Sequence, residues 1–280
     1  MTKVWLISGS SRGLGRALAE AVLAAGDRLV ATARVPSQLE DLKAQYGERI
    51  LAITLDVTDP AAAGVAVKTA VETFGRLDVL VNNAGYGNVG PIEDTSLDDF
   101  RAQIETNLFG TIILTKAALP LMREQGAGHI IQFSSVGGRI GPVGRAPYAA
   151  AKWGIEGFSE VLAKEVGPLG IKVTVIEPGG FRTDFAGSST RFNEGRPEYA
   201  ATVGAMVRYQ RDYDGKQPGD PRKAAAVILH VAGLDQPPLR LLLGSDAFRA
   251  VEQADRAKAE ADQKWRDLSL STDFEASVEL

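Results

Sequence analysis

Short apolar runs rich in Val, Ile and Leu alternate along the chain with longer, Ala-rich stretches. Such short runs are typical of strands buried on both faces of a parallel sheet. The pattern predicts strands near 3–8, 28–33, 50–55, 78–82, 128–134, 171–177 and 239–243, and helices near 13–25, 37–45, 60–73, 97–124, 147–167 and 221–232. Because strands and helices alternate strictly, we expect an α/β fold, a doubly wound sheet of about seven parallel strands with helices on both faces.

Two regions interrupt this alternation. Residues 180–220 are rich in Gly, Arg and aromatic side chains, and loops of that length in a compact domain are usually functional. We expect them to form a substrate lid within one catalytic domain, residues 1–245. Residues 246–280 are expected to form a helical extension, which starts as a charged amphipathic helix and receives no catalytic role. Five large residues of the lid either line an apolar substrate site or belong to a core or an interface: Phe185, Phe192, Tyr199, Met206 and Tyr213.

Composition and charge exclude several classes of partner. The formal net charge of −4 provides no basic surface for nucleic acid or anionic lipid. The chain has no cysteine, which excludes disulfides, iron–sulfur clusters, thiolate zinc sites and cysteine nucleophiles. Its two isolated histidines predict no metal site. Neither a signal peptide nor a membrane-spanning run is found, so we expect a soluble, cytoplasmic protein.

A glycine-rich turn follows the first predicted strand. The run VWLIS leads into GSSRGLG and then into RALAEAVLAAG, which places Gly9, Gly13 and Gly15 between a strand and a helix. Glycines allow the backbone to approach a pyrophosphate, and the helix N-terminus offers free N–H groups. The turn therefore predicts a dinucleotide site.

The same turn also fits the G-x-S-x-G nucleophile elbow of an α/β-hydrolase at Gly9, Ser11 and Gly13. That alternative requires a downstream acid and histidine, and the chain holds only His129 and His230.

Arginine at the end of the second predicted strand bears on the choice of cofactor. About 20 residues beyond the glycines, an acidic residue would bond the ribose 2′-hydroxyl of NAD, whereas an arginine accommodates the 2′-phosphate of NADP. Arg34 stands there, and Arg12 in the glycine turn adds a second cation. The two arginines favour NADP, with NAD as the alternative.

The stretch PYAAAKWG places Tyr148 and Lys152 one turn apart on one face of a predicted helix. Alanine is the strongest helix former, so the spacing is well defined. An isolated Y-x-x-x-K is usually a surface aromatic beside an aliphatic neighbour, so its meaning depends on the motifs around it.

Taken in order, the motifs resemble the short-chain dehydrogenase/reductase family over roughly residues 3–245. SGSSRGLG is similar to TGxxxGxG of that family, with Ser8 in place of the usual Thr, and VNNAG at 81–85 resembles its NNAG. PGGFRTDF and the C-terminal extension resemble the group related to 17β-hydroxysteroid dehydrogenases. The resemblance implies a Rossmann-type fold. The cofactor contacts it implies are Gly9, Ser11, Arg12, Gly13, Leu14, Gly15, Arg34, Asp56, Val57, Asn82, Ala84, Gly85, Tyr148, Lys152, Pro178, Gly179 and Thr183.

The resemblance also implies the chemistry. Ketone reduction needs a hydride and a proton, and a free tyrosine titrates near about 10, so a neighbouring cation must favour its phenolate. In that scheme Tyr148 is the general acid/base and Lys152 lowers its pKa and reaches the nicotinamide ribose. Ser135 orients the substrate oxygen, Ser134 faces the sheet, and Asn107 holds a helix kink and the water of a proton relay. We expect an NADP(H)-dependent oxidoreductase that interconverts a secondary alcohol and a ketone or aldehyde.

Two other functions share parts of this pattern. A dinucleotide-sensing protein without chemistry would have degraded catalytic positions, and here all four are present. A sugar-nucleotide epimerase or dehydratase would usually carry G-x-x-G-x-x-G and a larger C-terminal domain. The resemblance further suggests a homodimer or homotetramer built on the helices around 100–124 and 147–167. The sequence does not identify the small-molecule substrate.

Overall fold

A seven-stranded parallel sheet is the centre of the fold in the computed structural model, which describes residues 2–185, 187 and 189–274. The strands are β1 (Val4–Ile7), β2 (Arg28–Ala33), β3 (Ile50–Thr54), β4 (Val79–Asn82), β5 (Gly128–Phe133), β6 (Ile171–Pro178) and β7 (Arg240–Leu243). Their order is β3-β2-β1-β4-β5-β6-β7. The predicted α/β fold is confirmed, and every predicted strand overlaps an observed one.

The helices flank this sheet. They are α1 (Gly13–Ala24), α2 (Glu40–Tyr46), α3 (Pro60–Phe74), α4 (Leu97–Ile104), α5 (Gly110–Gln125), α6 (Ala146–Val166), α7 (Ala205–Tyr213), α8 (Pro221–Val231), α9 (Ser245–Lys264) and α10 (Arg266–Leu270). The single helix predicted near 97–124 is divided, because a π-helical turn, Glu105–Phe109, separates α4 from α5.

Alternating side chains of the strands build two apolar layers. Ile7 of β1 packs with Leu18 of α1 and Ile228 of α8 on one face, whereas Leu6 packs with Leu114 of α5 on the other. Successive residues of a strand point to opposite faces, and here both faces are covered by helices. This explains why the strands are apolar throughout.

The order of the strands determines where a crevice opens. β1 lies between β2 and β4, with Leu6 in register with both Val30 and Leu80. The chain changes faces of the sheet at this point, and in open α/β sheets ligands bind outside the carboxyl ends of the strands at such a switch point. The segments that follow β1, β4, β5 and β6 therefore form the candidate site.

Residues 180–220, which we call the cap, are more regular than the sequence indicated. The cap contains helix α7, which the apolar pattern did not predict, and Ala186 and Ser188 lie outside the described residues. Its apolar side chains form a small cluster with the segment after β4: Val89, Val203 and Val207, with Phe192, Tyr199 and Met206 packed against them. Three of the five predicted lid residues therefore pack in this local core.

The cap is attached to the segment that follows β4. Val89 donates its N–H to the Arg191 carbonyl at 2.9 Å and accepts from Asn193 N–H at 2.8 Å. Arg196 pairs with Glu93 at 2.8 Å.

Helix α9 of the C-terminal extension packs against the turn that follows β5. Arg139 in that turn pairs with Asp255 of α9 at 2.5 Å, and Lys258 Nζ donates to the Arg139 carbonyl at 2.8 Å. Residues 275–280 of the predicted extension lie outside the described residues. Within the described part of the chain, no helix combines the length and the apolar character needed to cross a membrane.

Candidate active site

The glycine turn after β1 has the shape of an anion cradle. Gly9 and Gly13 adopt positive φ angles of 70° and 61°. A Cβ at Gly15 would lie 2.3 Å from both the Gly9 carbonyl oxygen and Asn83 Nδ2, so only glycine permits this contact between α1 and the sheet. The Arg12 side chain makes no capping hydrogen bond to α1, whose first turn carries no acidic residue. The backbone N–H groups at the start of α1 are therefore available to a phosphate. The cradle fits the pyrophosphate of a dinucleotide.

Asn83 and Ser8 hold this cradle in place, and the sequence reasoning missed their role. Asn83 Nδ2 donates to the carbonyl oxygens of Ser8 and Gly9, both at 3.0 Å. Ser8 Oγ accepts from the backbone N–H groups of Asn83 and Ala84 at 2.9 and 3.1 Å. The second Asn of NNAG could have indicated this role, because the backbone of a buried turn needs polar partners.

Other predicted cofactor residues are divided between the crevice and the core. Asn82 directs its side chain into the sheet, where Nδ2 donates to Thr115 Oγ1 at 2.9 Å and Gln132 Oε1 at 2.8 Å. Val57 is buried in the apolar layer. Ser11 and Leu14 are half-buried in or beside the glycine turn, and Leu14 packs against the opposite layer. A cofactor contact from Asn82 would therefore have to come from its backbone.

The predicted specificity residues lie at the exposed end of the crevice. Arg34 and Arg12 are both exposed, and neither forms an ion pair with a described residue, in contrast to Arg16, which pairs with Glu20 at 2.7 Å. Asp56 accepts from the backbone N–H of Thr58, and this hydrogen bond is the main reason why the pKa of Asp56 lies below its usual value. The charge of Arg34 also lowers the pKa of Asp56.

Helix α6 brings Tyr148 and Lys152 to the carboxyl end of β5. Both side chains are buried, and Lys152 Nζ lies 5.6 Å from the centroid of the Tyr148 ring. Nζ donates to the carbonyl oxygen of Phe133, the last residue of β5, at 2.7 Å. Burial lowers the pKa of Lys152 to about 8, against the opposing charge of Glu156.

Ser135 lies against the same tyrosine. A Cβ at Gly137 would be 3.2 Å from Tyr148 Cε1 and 3.5 Å from Ser135 Oγ, which places the two side chains around one glycine. Ser135 Oγ accepts from the Gly137 N–H at 3.0 Å, so its own proton can be donated to Tyr148 or to a substrate oxygen. Ser134 is buried and donates to the Lys152 carbonyl at 3.4 Å, so its hydroxyl contacts helix α6 and not the sheet that was predicted.

The predicted effect of Lys152 on Tyr148 needs correction for this structure. Burial raises the pKa of Tyr148 above its usual value of 10.0, and the influences that lower it are a hydrogen bond from Ser135 and the charge of Arg145. The free-energy cost of burying the phenolate exceeds the stabilisation that Ser135 and Arg145 give it. Tyr148 is therefore protonated at neutral pH.

Asn107 occupies the π-helical turn between α4 and α5. Its side-chain amide binds the backbone of Tyr86, with Oδ1 accepting at 3.0 Å and Nδ2 donating at 2.7 Å. A Cβ at Gly85 would lie 2.9 Å from Asn107 Oδ1 and 3.8 Å from Lys152 Nζ. The structure therefore brings Asn107, Lys152 and Gly85 together.

The segment after β6 is held by the C-terminal extension. Asp246, in the first turn of α9, accepts the Gly180 N–H at 2.7 Å, and a Cβ at Gly179 would meet its carboxylate at 2.5 Å. Pro178 is the buried end of β6. A Cβ at Gly13 would be 3.6 Å from Thr183 Cβ, so this segment faces the glycine turn. The extension thus positions part of the site, which the sequence reasoning did not anticipate.

A buried ion-pair network lies behind Lys152. Glu177, at the end of β6, has a fully buried side chain and contacts Arg139 at 3.2 Å. Glu156, one turn after Lys152, contacts Arg240 at 2.9 Å. Burial, reinforced by the charge of Glu156, raises the pKa of Glu177 to about 7. Glu177 therefore titrates close to neutral pH near the site.

His129 does not support the hydrolase alternative. His129 stands near the amino end of β5, at the edge of the sheet opposite the glycine turn, and is buried against Thr174. Burial lowers its pKa to about 4, so it is neutral at pH 7. Across the described residues, no group of three or more His, Asp or Glu side chains is arranged to hold a metal ion.

Comparisons with known proteins agree with this geometry. The sequence model of the short chain dehydrogenase family matches residues 3–194. Oxidoreductase BOA17 of Botryotinia fuckeliana is 50% identical over 273 residues, which cover 97% of this chain and 100% of that protein.

Solved structures give the same result. A short-chain dehydrogenase from Streptomyces avermitilis superimposes with a TM-score of 0.92 at 44% identity, covering 98% of this chain and 100% of that one. An alcohol dehydrogenase from Thermococcus sibiricus, complexed with 5-hydroxy-NADP, superimposes with a TM-score of 0.72 at 27% identity, covering 87% and 96% of the two chains.

Two alanine substitutions test the cradle. Gly15→Ala places a methyl group against the Gly9 carbonyl and Asn83, and should cost about 1–3 kcal/mol of stability and weaken dinucleotide binding. Gly64→Ala, in the middle of α3 with no atom within 4 Å of the new Cβ, should stabilise by about 0.5–1 kcal/mol. Denaturant unfolding and NADPH titration measure both effects. Equal behaviour of the two variants would contradict the close contact.

The pKa of Glu177 predicts a pH dependence of stability. Because folding raises this pKa from 4.5 to about 7, the folded protein holds more protons, and stability is lost as pH rises through this window. Glu177→Gln removes that loss, so its stability relative to the parent protein should increase between pH 4.5 and 7. Glu160→Gln is the control of opposite sign, since hydrogen bonds from Arg240 and Lys164 hold the pKa of Glu160 at about 2. A pH-independent difference for Glu177→Gln would rule out the buried proton.

Proposed function

The chain belongs to the short-chain dehydrogenase family and is an NAD(P)-dependent oxidoreductase, and from this premise we propose that it interconverts a secondary alcohol and a ketone or aldehyde with NADP(H). Tyr148 is the proposed general acid/base, with Ser135, Lys152 and Asn107 as its partners. One observation carries the proposal: Tyr148 and Ser135 meet at the carboxyl edge of the sheet, beside buried Lys152 and across from the open glycine turn.

The residues divide the reduction into complementary tasks. When bound, the dinucleotide supplies the hydride that reaches the carbonyl carbon. Tyr148 donates its proton to the carbonyl oxygen, and Ser135 donates a hydrogen bond to the same oxygen as negative charge develops there. Lys152, fixed by the Phe133 carbonyl, keeps a positive charge near the phenolate that remains.

The pKa values support a donor role at neutral pH. Burial keeps Tyr148 protonated. The side chain is therefore ready to donate its proton in the reduction, whereas the oxidation requires the phenolate. Reduction should therefore be nearly independent of pH around neutrality and decline in alkali, while oxidation should rise with pH.

Two free arginines support NADP over NAD. Arg34 follows β2 at the carboxyl edge, and Arg12 is the residue before α1; neither pairs with a carboxylate among the described residues. A 2′-phosphate could form charge-assisted hydrogen bonds with either guanidinium. The Thermococcus sibiricus relative that carries 5-hydroxy-NADP is compatible with this choice.

The oligomeric state, the compartment and the kinship with 17β-hydroxysteroid dehydrogenases stay predictions. Exposed apolar residues on the helices expected at the interface include Phe109, Trp153 and Val161. Lys258 of α9 lies 4.9 Å from the Trp153 ring centroid, so the extension covers part of that surface.

Tyr148→Phe tests the chemistry. Loss of the proton donor should reduce turnover by at least about 10²–10⁴-fold, with NADPH binding largely retained because the cradle is untouched. Tyr209→Phe, at an exposed tyrosine of α7, is the control. NADPH oxidation against a panel of ketones, aldehydes, quinones and keto-steroids measures turnover. Appreciable activity in Tyr148→Phe would contradict the assignment of Tyr148 as the general acid/base.

Arg34→Asp tests the cofactor. Loss of the cation and gain of an acceptor for a ribose hydroxyl should shift the NADPH-to-NADH preference by about tenfold to hundredfold toward NADH. Arg28→Asp makes the same charge change at the opposite end of β2 and should leave the preference unchanged. If Arg34→Asp also leaves it unchanged, the specificity argument is wrong.

A further inference from the structure

Arg145 is a buried cation to which the proposed reaction assigns no task. It lies directly before α6, three residues ahead of Tyr148, and is 7% exposed. Its Cζ lies 5.6 Å from the ring centroid of Tyr148 and 5.8 Å from that of Phe185. A guanidinium is therefore packed between the proposed acid and an aromatic residue of the cap.

No described carboxylate pairs with Arg145. Its Nη2 donates to Gln210 Oε1 of α7, and Nη1 has no hydrogen-bond partner among the described residues. Arg139 and Arg240 are more exposed, and each contacts at least two carboxylates. Burying a guanidinium without an anion is costly, because the charge loses its water and gains no counter-ion. The arrangement lacks a negative group.

The N-terminus of α6 adds a second attraction for an anion at the same place. This helix of 21 residues has no side-chain cap and no acidic residue in its first turn. The positive end of its dipole therefore remains available, together with the N–H groups of the first turn other than Pro147, which has none. Both features favour negative charge next to Tyr148.

We propose that Arg145 and the N-terminus of α6 bind a carboxylate of the substrate, so that the enzyme reduces oxo acids and oxidises hydroxy acids. This inference rests on the proposed function for the reaction but not for the binding site. A carboxylate matches the planar fork of a guanidinium with two parallel hydrogen bonds. Its single negative charge also balances the single unpaired positive charge of Arg145.

Gln210 marks the position that the carboxylate takes. Its neutral Oε1 accepts from Nη2 in this structure, and a substrate carboxylate replaces it there while also satisfying Nη1. Because Phe185 and Gln210 both belong to the cap, binding requires a displacement of cap side chains. The Phe185 and Tyr148 rings, with centroids 5.7 Å apart, provide apolar contact for the carbon skeleton between carboxylate and carbonyl.

Matched acid and ester pairs test the site. The probes are oxo acids of increasing separation between carbonyl and carboxylate, each with its methyl ester, assayed with NADPH. For the best-fitting separation, the parent protein should prefer the acid by about tenfold to hundredfold in kcat/KM, the range expected for charge-assisted hydrogen bonds. Arg145→Met should abolish this preference, mainly by raising KM for the acid. Arg191→Met, at an exposed cap arginine, should retain it.

Gln210→Glu offers an independent test with the cation in place. This isosteric change supplies an internal carboxylate to Arg145, so the acid-over-ester preference should fall although the guanidinium is unchanged. If Arg145→Met does not fold, Gln210→Glu alone tests whether Arg145 binds the substrate carboxylate. An undiminished preference in Gln210→Glu would overturn the proposal.

Calorimetry separates this proposal from the proposed function. Benzoate and benzamide are titrated into the protein, so that binding is measured without any turnover. Benzoate should bind more tightly than benzamide to the parent protein, and equally weakly to Arg145→Met. That result supports the site even if no compound in the kinetic panel is reduced. If Arg145→Met slows acid and ester equally and shifts the pH profile toward alkali, Arg145 acts through the pKa of Tyr148 and the carboxylate site is refuted.

Discussion

The rest of the site depends on the hydrogen bond that the buried ammonium of Lys152 donates to the end of β5. A lysine removed from water must find partners, and here the carbonyl of Phe133 accepts from Nζ at 2.7 Å while Glu156 lies one helical turn further along α6. This contact fixes α6 against the carboxyl end of β5. Because Tyr148 lies one turn earlier on the same face, its position follows from that of Lys152.

Charges of alternating sign extend from this lysine to the C-terminal helix. Glu156 is balanced by Arg240, Glu177 by Arg139, and Arg139 in turn by Asp255 of α9. Buried charges are tolerated only where such pairs compensate their lost hydration. The extension therefore belongs to the electrostatics of the site, and a second contact of α9, from Asp246 to the Gly180 N–H, positions the segment after β6.

Arg145 departs from this pairing, and the departure is what distinguishes the substrate side from the cofactor side. The proposed cofactor side offers a backbone cradle that Asn83 and Ser8 hold in place. The substrate side offers one cation under a cap that has its own small core. A cradle built on strand ends can be shared by many related enzymes, whereas under our proposal the cap and Arg145 select what is bound beside Tyr148.

The sequence by itself determined the elements and the chemistry-bearing motifs, because both are local. Apolar runs marked the seven strands, glycine spacing marked the turn before α1, and helical periodicity placed Tyr148 and Lys152 on one face. Tertiary structure decided what depends on burial and on distant partners. It raised the pKa of Tyr148, turned the Asn82 side chain into the sheet, packed Phe192 of the cap in a core, and left Arg145 buried with no carboxylate partner among the described residues. Solvation and long-range contacts set these properties, and no local pattern of residues encodes them.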